Sequence, residues 1–264
     1  DIQNFINKLS KQGYAKHTIA LRRIVASLIF DYAILQGYVQ FNPVLAAKLP
    51  KNAAVNKRSL PNNDDIEKVK KAYNEPFGLF AYLCLYTGCR RGEALALKYD
   101  DIDFENDLLT VTKSKTAAGT GRKLPIPPQL KTSLIEHKLK GQNDEWVFVR
   151  YKNHSLPLDE NAFYHAWYNF CREMDIANGA TVYRNQITKS TLAPDLEPYL
   201  LRHTFCTDCQ AAGVPLNVAK ELMGHSDISV TAKIYTHMVD EVFEQNRKRL
   251  AEYANHKEQK AVNE

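Results

Sequence analysis

The run Phe77-Gly78-Leu79-Phe80-Ala81-Tyr82-Leu83-Cys84-Leu85-Tyr86 is apolar at almost every position and leaves no polar face for a helix to turn toward water. A helix of that kind persists only where other elements cover it on all sides. It is well short of the ~20 apolar residues that cross a bilayer, so the cover has to come from protein. The segment is therefore expected to be the core helix of a larger helical domain. A preceding helix is expected to start near Asn63 or Asp64.

Around that core the chain reads as mainly α with a small β element, an α+β pattern in two parts. Residues 1 to 48 read as helices: Ile2, Phe5, Ile6 and Leu9 fall at helical spacing, as do Leu21, Ile24, Val25, Leu28, Ile29 and Tyr32. Thr18 suits the N-cap of the second helix and Gly37 its stop. Residues 49 to 61 hold two prolines, Lys51, Lys57 and Arg58, with no periodicity, and are expected to form an extended linker. The larger part spans 62 to 240. Leu108 to Thr112 and Lys123 to Ile126 read as short strands of a hairpin carrying Lys113, Lys115 and Arg122 near its tip, and Glu145 to Val149 is a candidate third strand. Helices are expected again from Asp159, interrupted by a polar loop at 177 to 195. Val239, Val242, Phe243, Asn246, Leu250 and Tyr253 make a helical stripe before a polar tail that ends at 264.

Composition narrows the function without choosing it. The 264 residues are 44% apolar, ordinary for a packed globular chain of one or two domains. No segment reads as a membrane span or a charged leader before an apolar stretch, so the expected compartment is the cytoplasm. The five cysteines, odd in number and scattered, do not make a disulfide framework. Cys206-x-x-Cys209 invites a zinc or redox reading, but no second cysteine pair or histidine pair with ligand spacing accompanies it, and no metal is expected. The net charge of +5 is compatible with a polyanionic partner and does not demand one. The chain begins at Asp1 rather than methionine, which leaves room for it to be a fragment of a longer one.

The chemistry-bearing residues concentrate toward the C-terminal end. Leu201-Arg202-His203-Thr204-Phe205 is followed by Leu222-Met223-Gly224-His225, and Tyr235 stands ten residues after that histidine. Arginine and histidine can bind a phosphate, and a tyrosine hydroxyl can attack it. Arginine suits the task because its planar fork contacts phosphate oxygens in pairs and stays charged. Each residue also has a plain structural reading: Arg90 with Glu93 as an i, i+3 ion pair, Gly224-His225 as a helix stop, Lys115 as a solvated side chain.

Taken in order, Thr87-Gly88-Cys89-Arg90-Arg91-Gly92-Glu93, the lysine of Ser114-Lys115-Thr116, Leu201 to Phe205, Leu222 to His225 and Ile234-Tyr235-Thr236-His237 resemble the signature boxes of the tyrosine recombinases, or phage integrases. The stretch from Ala219 to His237 is most similar to integrases of conjugative transposons and prophages. The resemblance implies a small helical core-binding domain (1–48), a linker (49–61), a catalytic domain (62–240) and a C-terminal helix and tail (241–264) that dock on a neighbouring subunit.

It further implies a site-specific recombinase on double-stranded DNA, tetrameric in synapsis and needing no cofactor. Arg90, Lys115, Arg202, His225 and Tyr235 match the catalytic positions. Tyr235 would be the nucleophile, Lys115 the general acid with Lys113 as its rival, and His225 a donor to the phosphate. Glu93 would orient the arginines. Tyr199 occupies the place where the family usually has a histidine three before the second arginine, and is a supporting residue here; His203 is expected to be structural. Lys51, Lys57, Arg58, Lys113 and Arg122 are the expected DNA contacts. The alternatives are a DNA-binding relative without recombinase activity and a metal-dependent nuclease. Related transposon integrases also carry an arm-binding domain ahead of this region.

Overall fold

The computed structural model describes residues 2–54, 62–141, 145–194, 196–235 and 247–248, with the side chains of 233–235 outside that description. Lys57, Arg58 and the Val239 to Tyr253 stripe lie outside the described residues. The chain divides into two compact units, Asp1–Ser59 and Leu60–Glu264.

In the first unit α1 (Ile2–Lys11) packs on α2 (Lys16–Leu35) around a small core of Ile6, Leu9, Ile19, Ala47 and Ala53. The cap of α2 is Ala15 rather than Thr18, and Gly37 takes up a left-handed φ of 74° just past its end. The stripe from Leu21 to Tyr32, periodic as expected, is exposed among the described residues, with Leu28 at 63%. Leu49 and Ala53, expected in an extended linker, instead pack into this unit's core, and Ala54 O accepts from Lys16 N at 2.7 Å. Lys51 is exposed.

The second unit is built around α4 (Gly78–Thr87), buried at nearly every position and packed most extensively on α8 (Pro198–Ala211). The helix before it, α3 (Asn63–Lys71), is capped by Asn62, whose side chain accepts from Asp65 N at 2.7 Å. Phe80 anchors an aromatic cluster with Phe77, Phe148, Phe163 and Trp167 at centroid distances of 4.8 to 6.4 Å. After the short α5 (Arg91–Leu95) comes an antiparallel sheet of β1 (Ile102–Asp103), β2 (Leu108–Thr110) and β3 (Lys123–Pro125), in that order. Leu109 faces Leu124 across β2 and β3, and both are fully buried.

The third strand of this sheet is thus β1, not the segment at Glu145 to Val149. That segment supplies β4 (Val149–Arg150), which pairs with β5 (Asn153–Pro157), while Trp146 makes a single bridge to Lys98. The remaining elements are α6 (Pro128–Lys140), α7 (Glu160–Ala177), the hairpin β6 (Thr181–Tyr183) and β7 (Gln186–Lys189), then α8, α9 (Leu216–Met223) and α10 (Ile228–Tyr235). The hairpin replaces the polar loop expected at 177 to 195; its turn residues Arg184 and Asn185 both have positive φ. No helix among the described residues is long and apolar enough to cross a membrane.

Candidate active site

The site begins where α4 stops. Gly88 ends the helix in the left-handed region at φ 63°, and a Cβ there would lie 2.4 Å from the Phe205 ring. Only glycine satisfies both constraints. The turn delivers Arg90 to the N-cap of α5, where Glu93 at the third helical position folds back so that its Oε2 accepts from Arg90 N at 2.8 Å. That is one half of a capping box, the half made by the third helical residue, and it brings a carboxylate into the interior.

Glu93 becomes the hub. Its carboxylate accepts from Arg90 Nη1 at 2.8 Å, from Arg122 Nη1 at 3.1 Å and Nη2 at 2.5 Å, and from Ser114 Oγ at 2.6 Å. Arg202 Nη1 lies 3.9 Å away. Burial pushes the Glu93 pKa up, but the hydrogen bonds from Arg122, Ser114 and the Arg90 backbone outweigh it and hold the group at about 2.

A folded pKa below the ordinary 4.5 stabilises the native state above that value, and the gain is lost as pH falls from 4.5 toward about 2. The shift corresponds to about 3 kcal/mol at neutral pH. Glu93→Gln is accordingly expected to lose about 3 kcal/mol at pH 7 and to lose less stability than the parent on acidification. Urea unfolding at pH 7 and pH 3 checks both; equal stability of the two proteins at pH 7 would overturn the hub.

Arg202 rises from α8 into the same pocket, 2% exposed. Its Nη1 donates to Gly88 O, and its Nη2 donates to Met223 O and meets His225 Nε2 at 3.1 Å. Burial first, then the charge of Arg90, lowers its pKa to about 10, so it remains a cation at neutral pH. His225 follows Gly224, which caps α9 at φ 60°; a Cβ on Gly224 would lie 3.0 Å from Gly119 Cα and from Arg122 Nη1. Arg90 Nη2 donates to Gly224 O at 2.8 Å. Burial, then Arg202 and Arg90, pushes the His225 pKa down to about 4, leaving it neutral. Its Nε2 faces Arg202 Nη2 and its Nδ1 lies 2.9 Å from Thr231 Oγ1.

Arg90 and Glu93 at the head of α5, Arg202 on α8 and His225 after α9 thus converge from three places in the chain. Tyr235 is the last residue of α10, and its side chain lies outside the described residues. Lys113 and Lys115 are exposed on the connection from β2 to β3, which is tied to the cluster through Ser114. Tyr199 is 44% exposed with its ring edge-on to His203 at 4.6 Å.

Arg122 differs most from expectation. Instead of projecting from a hairpin tip, its side chain is buried, with Nε donating to Leu222 O at 3.0 Å and Nη1 to Gly119 O at 2.6 Å besides the Glu93 contacts. Ser114 and Thr231, which touch Glu93 and His225, were not singled out from sequence; each is a small hydroxyl residue close in the chain to a predicted site residue. Cys206 and Cys209 lie buried on α8, their thiols pushed up by burial to about 11 and about 12. Among the described residues no three His, Cys, Asp or Glu side chains are grouped to hold a metal ion.

The model of the phage integrase family matches residues 62–241. A tyrosine recombinase XerC-like protein of Caldanaerobacter subterraneus subsp. tengcongensis is 30% identical over 269 residues, covering 90% of this chain and 66% of the relative. The chain thus spans just under two thirds of that protein's length. A prophage ps2 probable integrase of Lactococcus lactis is 27% identical, with 90% of this chain and 67% of the relative aligned. In fold, the chain is similar to the Tn1549 transposon integrase solved with a circular intermediate DNA, at TM-score 0.74 and 18% identity over 95% of this chain and 84% of that one. It also resembles lambda integrase bound to a core site, at TM-score 0.64 and 22% identity over 89% and 78%. The chain belongs to the phage integrase family, among the tyrosine recombinases.

Proposed function

We propose that this chain is a site-specific DNA recombinase that cleaves and rejoins strands through a 3′-phosphotyrosine intermediate, serving the integration and excision of a mobile element. The observation that carries the reading is the single pocket in which Glu93 organises Arg90 beside buried Arg202 and His225. Negative charge builds on the non-bridging oxygens as a phosphodiester is attacked, and two arginines held in a low-dielectric pocket stabilise it. Arg90 and Arg202 take that role by exchanging carbonyl contacts for phosphate oxygens. The phenol of Tyr235 attacks phosphorus, its O–H bond breaking and its proton passing to solvent water as the O–P bond forms. The bond to the 5′ oxygen breaks, and that oxygen takes a proton from Lys115, with Lys113 the rival donor. The covalent link retains the energy of the broken diester, so rejoining runs by the same steps reversed.

In this reading the first unit and the catalytic unit share the duplex as core-binding and catalytic domains. Lys51, Lys57 and Arg58 contact the backbone, and residues 241–264 dock on a neighbouring subunit of a tetramer in synapsis. Tyr199 supports the phosphate pocket. The protein acts in the bacterial cytoplasm, on the nucleoid.

The test is trapping on a pool of nicked duplexes with randomised sequence around the nick, in EDTA. A denaturant-resistant protein–DNA adduct is expected, and sequencing the trapped duplexes would give the target. Strand breakage that requires a divalent cation, or no adduct from any duplex, would overturn the reading.

A further inference from the structure

Lys115 sits in a short loop whose two ends are both fastened to one oxygen atom. On its near side Ser114, half-buried, donates from Oγ to Glu93 Oε1 at 2.6 Å. On its far side Arg122 Nη1 donates to Gly119 O at 2.6 Å and to the same Oε1 at 3.1 Å. The segment between holds one 3-10 turn, Ala117–Gly119, closed by Gly119 N on Thr116 O at 3.0 Å. Gly119 fits there because it has no side chain: a Cβ would lie 2.1 Å from Ser114 Oγ and 3.1 Å from Arg90 Nη1. A larger residue at 119 would drive Ser114 off Glu93.

Arg122 can make the far pin because a guanidinium carries its N–H donors in a rigid fork. Its Nη2 meets Glu93 Oε2 at 2.5 Å, so the fork grips both carboxylate oxygens, and its Nε reaches Leu222 O at 3.0 Å. Gly224 leaves room for it, since a Cβ there would lie 3.0 Å from Arg122 Nη1. The Arg122 and Glu93 side chains are 7% and 2% exposed, so water competes little for these bonds. Lys115 itself is exposed between the pins.

We propose that Ser114 and Arg122 are positioning residues that seat the lysine-bearing loop on the Glu93 carboxylate, so that the proton donor and the phosphate-binding Arg90 share one anchor. Arg90 Nη1 ends on the same Oε1 at 2.8 Å. Loss of either pin frees one end of the loop and leaves the lysine chemically intact but poorly aimed at the leaving 5′ oxygen. The kinetic consequence rests on the function proposed above; the seating of the loop does not.

Amide hydrogen exchange in the DNA-free protein tests the seating. Ser114→Ala is expected to speed exchange at Gly119 and Thr120, whose amides are bonded within the loop, about 10- to 100-fold, the worth of one hydrogen bond to a charged group. Leu83 and Leu85 in α4 are expected to keep the parental rate. Arg122→Lys, which keeps the charge and loses the fork, is expected to act on the same two loop amides. Unchanged exchange there in either variant would overturn the proposal whether or not the protein cleaves DNA.

Proton delivery is tested on two nicked duplexes that differ only in the leaving atom, the 5′ oxygen or a sulfur in its place. A thiolate leaves without a proton, so the sulfur duplex does not need the lysine. Ser114→Ala is expected to form adduct about 10- to 100-fold more slowly than the parent on the oxygen duplex and within about threefold of it on the sulfur duplex. Equal losses on both duplexes, or none on either, would contradict the positioning role. Faster loop exchange in the variants with no adduct from the parent on either duplex would discard the function and leave the seating of the loop standing.

Discussion

Tyr235→Phe is expected to bind DNA with the parent's affinity and to form no covalent adduct, a loss of at least about 10⁴-fold in strand cleavage. The substitution removes one oxygen and leaves the ring, so the change is confined to the nucleophile. Losses of that size follow removal of an attacking group, because the remaining pocket can stabilise charge but has no bond to offer the phosphorus. The chain has fourteen tyrosines, and the expectation is specific to one of them. Tyr199, on α8 and edge-on to His203, is the sharpest comparison, since Tyr199→Phe keeps the ring and removes the same atom. Adduct formation is expected to survive in that variant. Gel shift and denaturing-gel assays on one nicked duplex separate binding from cleavage, and an adduct formed by the Tyr235→Phe protein would end the assignment.

Arg202→Lys is expected to retain DNA binding and to slow adduct formation by about 10²- to 10³-fold, the cost of losing one preorganised donor at a developing oxyanion. Arg202 is anchored at three points by Gly88 O, Met223 O and His225 Nε2, and it is the largest fully buried side chain among the described residues. A lysine keeps the charge but ends in a single ammonium, which cannot reach Gly88 O, Met223 O and His225 at once and has no planar fork to offer phosphate in place of the carbonyls. Its desolvation is also less well repaid, so a moderate loss of thermal stability should accompany the kinetic one. Single-turnover rates at saturating DNA measure the effect. A lysine variant within threefold of the parent would mean that Arg202 serves as scaffold and that Arg90 alone meets the phosphate.

Much of this was legible in the sequence where the information is local. An unbroken apolar run can only be a buried helix or a buried strand, and Phe77 to Tyr86 became α4. Arg90 and Glu93 stand at i, i+3, the spacing of an ion pair within one helical turn, and the two side chains meet at 2.8 Å. What escaped was set by partners distant in the chain. The burial of Arg122 depends on a carboxylate 29 residues away and a carbonyl 100 residues away, and nothing beside it distinguishes it from an exposed hairpin cation.

Strand β1 has two residues, too few to carry an alternation. The hairpin at 181–189 is almost wholly exposed, so no buried face imposes a period of two on its sequence. Periodicity along α2 correctly grouped Leu21 to Tyr32 on one face but could not say whether anything covers that face. The Nδ1 contact of His225 joins residues six apart across a turn between helices, a spacing that belongs to no regular element.

The central claim is that a pocket organised by Glu93 activates a phosphodiester for attack by Tyr235. Mass spectrometry of the trapped adduct after nuclease and protease digestion tests it most directly. The account predicts a single nucleotide-bearing peptide with the phosphate linked from a DNA 3′ end to the phenol oxygen of Tyr235, recovered in the presence of EDTA. A linkage to any other residue, or to a 5′ end, would contradict it.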